Sequence, residues 1–124
     1  MFKKSLPVLL LSLLLAGCAT QLTNLTPHQR RRNADNQYLV EVSFNTRQET
    51  VRWQSIRPQI IVGSEAYPMR PTLLMTNRWE GWVPVPRGTS QVRYHYKFDF
   101  EYNKMGKPGS DTSLSPEYTL RILD

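Results

Sequence analysis

His95, Asp99 and Glu101 come nearest to acid–base chemistry in this chain, sharing one side of the extended stretch QVRYHYKFDFEYN, 91–103, with Arg93 and Lys97. A general base at His95 would need an orienting acid and a nucleophile beside it, and no Gly-x-Ser-x-Gly or comparable motif supplies the nucleophile. One histidine with scattered carboxylates fits neither zinc nor EF-hand ligand spacing. Asp99 and Glu101 read most simply as cross-strand charge partners for Arg or Lys. His28, the other histidine, has no clustered ligand. The expectation is therefore a protein without catalytic residues, metal or cofactor. That leaves binding chemistry, for which Trp53, Trp79 and Trp82 are the candidates. An indole can anchor a protein interface, stack on the apolar face of a sugar ring, or simply pack in its own core.

The elements that would position these residues are strands. Within 91–103, Val92, Tyr94, Tyr96, Phe98, Phe100 and Tyr102 alternate strictly with polar residues, a period of two. Burying each apolar side chain contributes about 1.5–3 kcal/mol, so this strand should be central. Tyr38, Val40, Val42 and Phe44 alternate likewise, as do Val51 and Trp53 in TVRWQSI, 50–56. Arg57-Pro58 interrupts before a short apolar strand at 59–62. Tyr67-Pro68-Met69-Arg70-Pro71 suits an edge or crossover, and 72–75 reads as one more short strand. In RWEGWVPV, 78–85, the Gly and Pro suggest a bulge or edge. The segment KMGKPGSDTSLSP, 104–116, reads as a long mobile loop, and EYTLRIL, 117–123, as a closing strand. About seven short strands without helical periodicity predict one all-β, immunoglobulin-like antiparallel β-sandwich over 37–124. A small closed barrel fits the same strand count.

Before this domain, Phe2-Lys3-Lys4 is a basic start, 6–15 is an apolar run, and Leu15-Ala16-Gly17-Cys18 follows. The run is too short for a bilayer core of about 30 Å, which needs ~20 residues, and reads as an export signal over 1–17. The tetrapeptide resembles the lipobox of bacterial lipoproteins. That resemblance implies cleavage before Cys18, a diacylglyceryl group on its thiol and an acylated amino terminus. Cys18 is the sole cysteine, so lipidation leaves no thiol for a disulfide or a nucleophile. Ala19 stands where lipoproteins of the enteric inner membrane resemble one another in carrying Asp, which points to the outer membrane, facing the periplasm.

The formal charge of +6 includes Lys3 and Lys4; without them fourteen basic and ten acidic residues remain, net +4. From residue 37 onward, eleven basic residues face nine acidic ones, which is not a nucleic-acid-binding balance. Residues 18–36 are polar and aperiodic and read as a flexible basic tether. Arg30, Arg31 and Arg32 lie midway along it, where they could meet lipid phosphates or other envelope polyanions.

Trp82, Val83-Pro84-Val85-Pro86, Gly88, Val92, Tyr94 and Tyr96-Lys97-Phe98 together resemble the middle of starch- and glycogen-binding β-sandwich modules. The resemblance implies Trp82 and Lys97 as sugar contacts, with Trp79 a second platform. After Phe98, Asp99-Phe100-Glu101-Tyr102 replaces the Asp-Gly turn and further Trp of those modules. The leading expectation is a lipid-anchored module that binds or scaffolds an envelope protein through Arg78, Trp79 and Trp82; recognition of a glucan or cell-wall glycan is the alternative.

Overall fold

The computed structural model describes residues 20–124 and is all-β there; the expected signal segment and lipobox, with Cys18, lie outside the described residues. Ten strands follow in order: β1 (Thr20–Asn24), β2 (Gln29–Arg31), β3 (Gln37–Thr46), β4 (Val51–Val62), β5 (Glu65–Pro68), β6 (Arg70–Pro71), β7 (Arg78–Pro84), β8 (Gln91–Lys104), β9 (Lys107–Leu114) and β10 (Tyr118–Leu123). One sheet runs β1-β3-β7-β6. The other runs β2-β10-β8-β4-β5, and β9 continues the β10 side of β8. Every pairing is antiparallel except β2 with β10. In immunoglobulin lettering the first sheet is A-B-E-D and the second contains G-F-C with an added C′, so the sandwich expectation holds and the barrel does not.

The central strand behaves as its alternation demands. Tyr94, Tyr96, Phe98 and Phe100 are buried, while Arg93 and Glu101 are exposed. Across the sandwich they meet Val40, Val42 and Phe44 of β3 and Val83 of β7, all of them fully buried. Phe44 stacks on Phe98 with ring centroids 5.5 Å apart and an interplanar angle of 15°. These are strands B and F, which antibody-type domains join by a disulfide; here two aromatic rings make that junction.

Several expectations are corrected. Residues 18–36 are not a free tether over their described part. β1 pairs with β3 from Thr20 opposite Thr46 to Asn24 opposite Val42, and Leu22 is buried. Over the described residues the sandwich therefore includes Thr20–Asn24, ahead of residue 37, and has ten strands where about seven were expected. β4 runs unbroken through Pro58, which is tolerated because β5 pairs only from Gln59 onward, leaving β4 an edge there. Residues 72–75 form a turn, with Met75 N donating to Thr72 O at 3.1 Å. The expected loop over 104–116 is mostly strand: Lys104 pairs with Lys107 across a two-residue turn, which Gly106 permits at φ 79°. β7 is an interior strand, not a bulge or edge. Gly81 is required there for close packing, since a Cβ would lie 2.8 Å from both Ile60 Cδ1 and Pro68 O. The crossover reading of 67–71 stands, because β5 and β6 close opposite sheets on either side of Met69.

Burying tyrosines requires partners for their hydroxyls, and the amino-terminal strand supplies them. The Tyr96 hydroxyl donates to Asn24 Oδ1 at 2.6 Å and lies 3.2 Å from Thr26 Oγ1. Asn24 Nδ2 donates to the Tyr94 hydroxyl at 3.1 Å. Burial raises the Tyr96 phenol well above the ordinary tyrosine range, the Thr26 bond pulling the other way. The unfolded chain loses this proton near pH 10 whereas the native state keeps it. Stability from this group is thus complete below about pH 10 and falls by about 1.4 kcal/mol per unit above it. Urea unfolding at pH 9 and pH 11 should show that decline, and Tyr96→Phe should show a shallower one; equal slopes would contradict the assignment.

Candidate functional site

The structure separates the residues that the sequence grouped. Trp79 is 6% exposed and packs edge-on against Phe44 and Phe98, at centroid distances of 6.1 and 5.4 Å. It is a core residue and cannot be a sugar platform. Trp82 is 49% exposed on the outer face of the β1-β3-β7-β6 sheet. Lys97 lies on the outer face of the other sheet, between the buried Tyr96 and Phe98. Trp82 and Lys97 thus face away from each other across a sandwich whose sheets pack about 10 Å apart, and they form no common site.

The basic triplet is also divided by strand alternation. Arg30 Nη2 donates to Leu39 O at 3.2 Å. Arg32 sends Nε to Asp124 Oδ1 at 3.0 Å, Nη1 to Val85 O at 2.8 Å and Nη2 to Thr89 O at 2.6 Å. Both guanidiniums fasten strands together; only Arg31 is exposed. The triplet also lies at the opposite end of β3 from Thr20, roughly 30 Å away for ten residues at ~3.3 Å each. The polyanion-contact reading therefore fails for Arg32, whose cation is paired with Asp124, and is not supported for Arg30, which is half-buried with one bond to a carbonyl.

Around Trp82 the outer face is made by the outward-facing residues of β3, β7 and β6. Leu39 stands opposite Trp82, Glu41 opposite Glu80 and Ser43 opposite Arg78. Two carboxylates directly opposite would destabilise the pair, and Arg70 offsets this with Nη2 3.1 Å from Glu80 Oε2. The result is an exposed indole with an aliphatic neighbour, bordered by Arg70, Glu80 and the half-buried Arg78. This arrangement suits a broad contact: an aromatic anchor surrounded by charge.

A second surface was invisible in the sequence. Between Arg52 opposite Glu101 and Arg57 opposite Asp99, four residues of β4 face the single residue Phe100 of β8. This bulge opens a groove of about 1000 Å³ on the outer side of β4, β8 and β9. Ser55 closes the gap in the ladder, its Oγ accepting from Glu101 N at 2.8 Å and donating to Arg52 O at 2.6 Å. Trp53, 48% exposed, lies at the groove wall, backed by Trp79 at 6.3 Å and Phe44 at 5.8 Å. Asp99 accepts from Thr112 Oγ1 at 2.5 Å, and Arg52 lies 3.7 Å from Glu101. The expected cross-strand charge pairing is thus seen for Glu101 with Arg52, whereas Asp99 bonds a hydroxyl of β9 and not an Arg or Lys.

No family model matches the chain, and no curated protein does. Among solved structures, the chain is similar to a crystal structure of a DUF4785 family protein from Legionella pneumophila, with 9% identity and a TM-score of 0.45. The match covers 83% of this chain and 28% of that one, so the chain spans under a third of that protein's length.

His95 lies opposite Ile61 on the β4–β8 ladder, and among the described residues no three His, Asp or Glu side chains gather as a metal site. The groove residues carry a signal only in retrospect. Ser55 sits in an otherwise apolar–polar alternation, but an extra backbone turn leaves no mark on side-chain type.

Proposed function

We propose that this protein is a lipid-anchored, non-catalytic binding module of the bacterial envelope, held at the outer membrane through Cys18 and facing the periplasm. It holds an envelope protein partner on the outer face of the four-stranded sheet. The observation that carries this reading is Trp82: half-exposed on the outer sheet face, beside Leu39 and a charged border. A large aromatic in such a setting is what protein interfaces use as an anchor, and truncating one typically costs 2 kcal/mol or more. Photo-crosslinking from position 82 in intact cells should yield a discrete protein adduct, whereas crosslinking from position 97 on the opposite face should not. Trp82→Ala should weaken capture of that crosslinked protein by roughly 30-fold or more, with little change in unfolding free energy. Equal adducts from both positions, or none from either, would sink the assignment.

The glycan reading is favoured by a different observation, the groove beside Trp53, where an indole adjoins carboxylates and the hydroxyls of Ser110 and Thr112. A saturable change in tryptophan emission with soluble glucan or peptidoglycan fragments, lost in Trp53→Phe, would move the function there.

A further inference from the structure

The three most exposed large apolar side chains of the described residues gather at one end of the sandwich. β1 starts at Thr20 opposite Thr46, the last residue of β3, and β7 starts at Arg78 opposite Ser43. The turn over 72–77 therefore lies at this end, and Asn77 secures it by accepting from Phe44 N at 2.9 Å and donating from Nδ2 to Asn45 Oδ1 at 3.2 Å. β4 leaves from the same end and pairs Val51 with Tyr102, so the β8–β9 turn arrives there too. On these two turns Leu73 is 85% exposed, Leu74 94% and Met105 fully exposed. At the far end, Leu123 is only 43% exposed.

Nothing in the packing explains the two leucines. Leu74 adopts φ 64°, a left-handed conformation disfavoured for any side chain with a Cβ, and the turn that imposes it leaves both leucines in solvent. Met105 sits in the turn between Lys104 and Lys107, and Arg47 lies in the neighbouring β3–β4 turn; all three cations are exposed. Apolar tips with cations beside them match the boundary of an anionic bilayer, where acyl chains lie just beneath phosphates.

We propose that this end of the sandwich is a membrane-contact face. Leu73, Leu74 and Met105 enter the acyl–headgroup boundary, with Lys104, Lys107 and Arg47 at phosphate depth. The proposal rests on the lipid-anchor reading for its occupant. Cys18 precedes Thr20 by two residues, a reach of about 7 Å at most, and Thr20 stands on this same end. An acylated Cys18 would press these turns, and not the Trp82 face, against lipid. The sandwich then stands on its end, with both sheet faces turned sideways and open to partners.

The test uses the full-length protein in vesicles of phosphatidylethanolamine and phosphatidylglycerol. Leu74→Cys, Met105→Cys or, as a far-end control, Ser64→Cys carries an environment-sensitive fluorophore. Labels at 74 and 105 should shift to the blue and be quenched by lipids brominated in the upper acyl chain, while the label at 64 stays in water. Labels at 74 and 105 that match the control overturn the face. A blue shift insensitive to brominated lipid also overturns it, since a protein and not the bilayer then covers these turns. Acylation is read independently from the mass of the amino-terminal peptide. Unacylated protein whose labels at 74 and 105 are quenched at high lipid concentration overturns the anchor and keeps the face; unacylated protein whose labels match the label at 64 even there overturns both.

Discussion

Phe98→Ala is expected to lower the unfolding free energy by about 3–5 kcal/mol. Phe98 is fully buried, stacks on Phe44 at 5.5 Å and meets Trp79 edge-on at 5.4 Å. Its removal leaves a cavity at the junction of both sheets. The surrounding strands are held by hydrogen-bonded ladders on either side and cannot collapse into that space, which keeps the cost in the upper part of the range. No disulfide can share the load, because the chain's sole cysteine is Cys18. Small domains of this kind are stable by about 5–15 kcal/mol in total, so the variant should sit near its unfolding threshold at 25 °C. Urea denaturation followed by tryptophan fluorescence measures the loss, and Phe98→Leu, which retains much of the volume, should lose far less. A drop below about 1 kcal/mol for the alanine variant would mean that the aromatic junction is not what holds the sheets.

How much of this was legible in the sequence depends on whether a strand has one dry face. β8 and β3 do, and their alternation led directly to the sandwich and to its central strand. β9 is wet on most of both faces, so KPGSDTSL carries no period and its Gly, Pro and Ser read as loop. β1 buries only Leu22 from TQLTN, too little to distinguish a strand from a tether. Its real reason for pairing is the buried polar network around Tyr96, which depends on residues about seventy positions apart. The candidate site was legible in part. Trp79 and Trp82 are three residues apart, and in a strand an odd spacing forces them onto opposite faces, so one of the two had to be inside. Which one, and whether Lys97 shared its side, required the assignment of β7 and β8 to different sheets. The groove beside Trp53 depends on backbone register, and nothing in side-chain composition encodes four residues facing one.

Cys18→Ala is expected to move the protein from the floating membrane fraction to the soluble fraction. The size of the effect follows from chain length: each buried methylene contributes ~0.8 kcal/mol, and several acyl chains on one residue make dissociation negligible on any experimental timescale. The proposed contact through Leu73, Leu74 and Met105 cannot replace that anchor. Even full insertion of each would contribute about 1.5–3 kcal/mol, and the sum must also cover the cost of confining the protein to the surface. That leaves binding comparable with a single myristoyl chain, which is marginal and reversible. The two contributions therefore differ in kind. The acyl chains would determine whether the protein stays on the membrane, whereas the apolar turns would determine which end faces it, made effective by the two-residue link between Cys18 and Thr20. The alanine variant should leave the vesicles on dilution and retain the native fold, since all the described pairing of the sandwich lies from Thr20 onward. Quantitative flotation of Cys18→Ala after dilution would show that acylation is not what holds the protein, and the anchor reading would then have to be abandoned.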